Sequence, residues 1–238
     1  MQDFLYREAK RIVPQVEELS GLKCNLEQVY FKLTRNFIAP ILLSHLSLRN
    51  AMILHYHQAG SYNHELRRLS ISSKLVEEGI YSSVLAHELM HNAQFSSFPE
   101  ILDFSYSYDF GKGGANPYPY LIEGDAELIS THFPNYKRVV EISDVFMTFI
   151  GKDYHEKFFS KKRKIYEKGK RILLEKFGGD RKEINKLYRT DGEKLIDIFE
   201  LERKYSGIYL RWLKERTGFD DKRLHLNNSQ TFSSDGEE

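Results

Sequence analysis

Apolar positions recur at helical spacing over residues 3–19, where Phe4, Leu5, Ala9, Ile12, Val13, Val16 and Leu19 form one stripe and Gly21 closes the pattern. Pro14 falls inside it, which predicts a bend or a division of this first helix. The period then drops to two. Val29, Phe31 and Leu33 alternate with Tyr30, Lys32 and Thr34, as in a strand with one buried face. Residues 38–48 are too evenly apolar to assign by period, and Pro40 leaves them as a short helix or a loop. Residues 52–57 and 69–72 read as strands, the second with an apolar and a polar face. As the last strand before a helix, it is expected at the rim of a cleft, where free backbone groups can pair with an extended peptide.

A helix is predicted over residues 79–95. Leu85, Leu89 and Ala93 lie on one side, and Ile80 and Val84 lie near the other, so it is apolar almost all round and reads as buried. Residues 95–120 carry the Ser, Gly and Pro chemistry of a long loop, within which Tyr106, Tyr108, Tyr118 and Tyr120 are either substrate contacts or anchors. Gly111-Lys112-Gly113-Gly114 in this stretch lacks the GxxxxGK[ST] spacing of a phosphate loop. A further helix is expected over 121–132, with Pro119 just ahead of it. Phe158, Ile165, Ile172 and Leu173 mark another, with Gly169 in the stripe where a neighbouring helix can come close and Gly178-Gly179 as its end. Residues 182–201 supply one or two more helices, and 205–217 a last one carrying Trp212. The polar tail past residue 226 is expected to be disordered.

A small sheet leading into a buried helix, followed by helices alone, implies an α+β fold. The expected organisation is a core over 1–133, a helical part over 134–225 completing the same compact unit, and the tail 226–238. Composition adds little to this. The 238 residues carry a net charge of +1, so no global field favours nucleic acid or membrane. Locally, residues 152–176 hold ten Lys or Arg against four Asp or Glu, including Lys161-Lys162-Arg163-Lys164; this is a solvated face or, less readily, a surface for an acidic partner or nucleic acid. The single cysteine, Cys24, permits no internal disulfide. No stretch resembles a signal peptide or reaches the roughly 20 apolar residues of a membrane span, so a cytoplasmic protein without membrane contact is expected, its oligomeric state open.

Chemistry concentrates at His87-Glu88-Leu89-Met90-His91. Two histidines four residues apart stand about 40° apart around a helix, so both imidazoles can reach one ion while Glu88 projects to the side. Glu123 and Glu127 repeat the spacing on the next predicted helix. Two like charges one turn apart are mutually unfavourable, which favours a cation or another partner beside them.

HELMH followed by Ile122-Glu123-Gly124-Asp125-Ala126-Glu127 resembles the gluzincin group of zinc metallopeptidases. The likeness spans residues 71–130, about a quarter of the chain. Ile122 departs from the asparagine of the group's Asn-Glu-Gly-x-Ala form, and Glu127 replaces an aspartate. The resemblance implies a zincin-like core and one Zn2+ per chain held by His87, His91 and Glu123. It also implies that Glu88 is the general base, Glu127 an outer support of a ligand histidine, and a peptide or protein the substrate. An oxyanion donor is implied too, for which Tyr205 and Tyr209 are candidates, with Tyr188, His132 and Tyr118 also admissible. The competing reading is a metal-binding regulatory or interaction module on the same fold.

Overall fold

The computed structural model describes residues 2–27, 29–34, 59–101, 116–139 and 160–203. The expectations for 38–48, 52–57, 205–217 and the tail lie outside them. Among the described residues are seven α-helices, one turn of 3-10 helix and a three-stranded sheet, consistent with the α+β expectation. No helix among them is long and apolar enough to cross a membrane. The chain divides into two compact units, Met1–Pro99 with Ala126–Lys162, and Glu100–Asp125 with Arg163–Glu238.

In the first unit, helix α1 (Gln2–Ser20) buries Leu5, Ala9, Ile12 and Val16 along one stripe. Pro14 does not divide it. The ring sits on the exposed side, and the stripe on either side of it is held by α3 and by strand β1, which offsets the missing hydrogen bond. Strand β1 (Tyr30–Thr34) runs parallel to β3 (Arg68–Ser72), and β2 (Gly60–Asn63) runs antiparallel to it. The order β1-β3-β2 makes β3 the central strand, which corrects two expectations. Its backbone groups are taken on both sides rather than free at a rim, and Ser70 and Ser72 are buried at 4% and 5% exposure, so it has no solvent face. The outer strands of the described sheet are β1 and β2, and β2 shows no alternation of its own.

Past β3 the chain makes a short helix α2 (Ser73–Glu77), turns at Gly79 and enters α3 (Ser82–Ser97), so the single helix expected over 79–95 starts later and follows a separate turn. Helix α3 is buried over almost its whole length, as its all-round apolar pattern requires. Pro99–Ile101 form the 3-10 turn.

Helix α4 (Tyr118–Ser130) begins three residues ahead of the expected start, with the Asn116 side chain accepting from the Tyr118 backbone N–H and Pro119 in the first turn. It is continuous across the division between the units at Asp125 and Ala126. In the second unit it crosses α5 (Ser160–Phe177), backbone against backbone. A methyl at Gly169 would fall 2.1 Å from the carbonyl oxygen of Tyr120, and one at Gly124 would fall 2.6 Å from the Gly169 backbone. The α5 stripe buries Ile165, Ile172 and Leu173, and the helix ends at Gly178-Gly179, whose N–H groups return to Leu174 and Leu173. The region expected to hold one or two helices holds two, α6 (Arg181–Leu187) capped by Asp180 and α7 (Gly192–Ile198) capped by Asp191.

Candidate metal centre

Helix α3 presents His87 and His91 on one face, with their Nε2 atoms 3.2 Å apart and their rings nearly perpendicular at 87°. The His87 side chain is 12% exposed and the His91 residue 8%. The other ring nitrogens are both engaged. His91 Nδ1 lies 2.8 Å from Oε1 of Gln94, three residues on along the same helix. His87 Nδ1 lies 3.5 Å from Oε2 of Glu127 on α4.

Gln94 Oε1 and the Glu127 carboxylate are placed to accept from Nδ1 protons, and in that tautomer each Nε2 offers a lone pair, an arrangement that favours a cation between the two nitrogens. Two bonds of ~2.0–2.1 Å at a tetrahedral angle would set the nitrogens about 3.3 Å apart, close to the observed spacing.

Glu123 lies one turn before Glu127 on the continuous helix α4, on the same face. His87, His91 and Glu123 each offer one ligand atom, all within 4.8 Å of one another. This set of two nitrogens and one carboxylate oxygen could hold a metal ion. Glu127 is backed in turn by the Tyr136 hydroxyl, which donates to its Oε1. Glu88, 6% exposed, is on the adjoining face of α3 and is not one of the three.

The other expected site residues fall elsewhere. Tyr188 is fully buried and donates its hydroxyl to Asp125 at 2.7 Å, which commits it to a structural network. Tyr118 is fully buried at the start of α4, and His132 is exposed just past its end. Tyr120 stacks on Phe199, so it is an anchor of the helix rather than part of a loop. Tyr205, Tyr209, Tyr106 and Tyr108 lie outside the described residues. On the basic helix α5, Arg163 pairs with Glu167 and Arg171 with Glu175, each along its own helix and exposed.

Three contributors carried no obvious sequence signal. Gln94 is legible afterwards from its position one turn past His91, whereas Tyr136, nine residues from Glu127 and beyond the helix end, is not. Asn92 is the third. Its side chain accepts from the Asn25 N–H and donates to the Asn25 carbonyl and the Tyr62 hydroxyl, tying α3 to β2 and to the segment after α1. Comparison of the chain with protein-family models, curated proteins and solved structures returns no match. The functional reading therefore stands on the chemistry of these residues.

Proposed function

We propose that the chain is a zinc-dependent peptidase with a zincin-like core, in which His87, His91 and Glu123 hold the ion. The observation that carries this reading is the pair of Nε2 atoms 3.2 Å apart, both imidazoles oriented by acceptors at Nδ1, with Glu123 beside them. When bound there, zinc supplies Lewis acidity, lowering the pKa of a water and polarising a peptide carbonyl. Glu88 takes the proton from the attacking water and returns it to the leaving amine, so the same carboxylate acts first as base and then as acid. Glu127 and Gln94 hold the two imidazoles in the tautomer and orientation that direct Nε2 at the ion. The substrate is a peptide or protein segment. Burial pushes the Cys24 thiol up to about 12, with the Glu17 charge adding to it, which suits an inert thiol; a cytoplasmic location remains part of the proposal on the single cysteine alone.

Purified protein is expected to contain one zinc per chain and to cleave casein or a peptide library. Glu88→Gln should retain the metal and lose roughly 100- to 10,000-fold in rate, the usual contribution of a positioned acid–base group. Folded wild-type protein free of metal would sink the reading. Zinc bound without turnover in wild type would instead favour a metal-binding regulatory or interaction module.

A further inference from the structure

Helix α3 has a second working face. Val84, Glu88, Asn92 and Phe95 follow one another at steps of four, four and three, so they form one stripe, and the stripe lies under strand β2. Gly60 and Tyr62, two residues apart on that strand, point to the same side. Tyr62 meets the far end of the stripe, its ring stacked on Phe95 at 6.2 Å and its hydroxyl accepting from Asn92 at 3.0 Å. Gly60 meets the near end with no clearance. A methyl group there would lie 2.6 Å from Cγ1 of Val84 and 2.9 Å from both Cγ and Oε1 of Glu88, well inside the 3.5–4.0 Å optimum of carbon contacts.

We propose that Gly60 is a positioning residue for Glu88: the bare strand backbone forms the wall against which the Glu88 side chain is seated, and side-chain size at position 60 determines where the carboxylate stands. This rests on the peptidase reading and extends it from the metal ligands to the base. The strand cannot simply lift away to accommodate a larger residue. It is laddered to β3, the Ala59 carbonyl accepts from Ser72, and Tyr62 is fastened to Asn92 two residues on. Val84 is branched and lies nearest, at 2.6 Å, whereas the Glu88 carboxylate ends a flexible side chain, so an added methyl presses on Val84 and turns the base aside. The three nearest atoms to it belong to Val84 and Glu88, none to His87, His91 or Glu123.

The test is Gly60→Ala, assayed as the zinc-loaded full chain. Zinc content and affinity are expected to match wild type, KM to stay within about twofold, and kcat to fall about 10- to 100-fold, the effect of misplacing a catalytic group by roughly 1 Å. In the Glu88→Gln background, Gly60→Ala should produce no further loss. A crystal structure of Gly60→Ala should show Glu88 turned to another rotamer. Unchanged kcat, an equal loss with and without Glu88, or an unmoved Glu88 rotamer overturns the proposal. So does full recovery on adding Val84→Ala, which would trace the loss to displacement of the strand. Absence of turnover in wild type would defeat the peptidase reading instead, and the Glu88 rotamer in Gly60→Ala would still decide on Gly60.

Discussion

Asp125 and Glu127 stand two residues apart on helix α4, about 200° around it, and their opposite surroundings give two acids different tasks. Asp125 is wholly buried and gripped by the Arg181 fork at 2.6 and 2.9 Å, with the Tyr188 hydroxyl adding a third bond. Burial works against the Arg181 charge, but the attraction and hydrogen bonds of Asp125 outweigh it and hold the guanidinium above its usual range. That charge is cancelled where it stands. Glu127, its side chain 16% exposed, accepts from the Tyr136 hydroxyl and lies 3.5 Å from a ring nitrogen of His87. On this helix one acid is locked by a buried arginine and the other is turned to a histidine of the candidate metal centre.

The strongest way to break the comparison is to remove the cation from the locked side. Arg181→Ala leaves Asp125 buried and uncompensated and is expected to cost about 3–5 kcal/mol in denaturant unfolding. A loss below about 1 kcal/mol would mean that the network is open to water and the contrast false.

On the other face, chelator competition should rank the glutamates. On the proposed function, Glu123→Ala removes a ligand and is expected to weaken zinc by more than Glu127→Ala, for which about 10- to 100-fold, or about 1.4–2.7 kcal/mol, is expected. The reverse ranking would exchange their roles.

The smallest effect sharpens the comparison, because Glu8 repeats the Asp125 arrangement near the surface. It accepts from Arg11 at 2.7 Å and from the Tyr81 hydroxyl at 2.8 Å, but the Arg11 side chain is 63% exposed. Arg11→Ala should therefore cost only about 0.2–1 kcal/mol. The Arg11 hydrogen bond holds the Glu8 carboxyl below its ordinary value, against the opposing effect of burial. A carboxyl depressed in the folded state stabilises fully above its ordinary value of 4.5 and loses that contribution as pH falls through the lowered value. Urea titrations from pH 6 down should show this acid loss in wild type and a shallower one in Glu8→Gln; parallel curves would remove Glu8 from the account.

What the sequence reveals of this molecule is what repeats locally. The α1 stripe, the alternation in β1, the all-round apolar α3 and the Gly169 notch of α5 are each written in a few neighbouring residues. So is the His87 and His91 spacing, because a helix turns a four-residue interval into a shared face, whereas Glu123 joins them from a separate helix. The rest depends on pairing between distant segments. Gly60-Ser61-Tyr62-Asn63 has neither alternation nor strand-favouring residues throughout, and it is a strand because β3 offers it a ladder. Ser70 and Ser72 look like a solvent face by local alternation, yet both are buried in the fold. The Asp125 network joins residues 56 and 63 positions apart, with no local pattern to announce it.

The crossing of α4 and α5 at Gly124 and Gly169 has a consequence for how this chain can change over generations. Neither position admits even alanine without driving a carbon into the opposite backbone, and no side-chain rotation relieves that contact. The two helices can separate only if both sites and their surroundings shift together. A side chain on the surface can be exchanged alone, whereas each glycine of this pair can change only with its partner, so the constraint falls on two residues that bring no functional group.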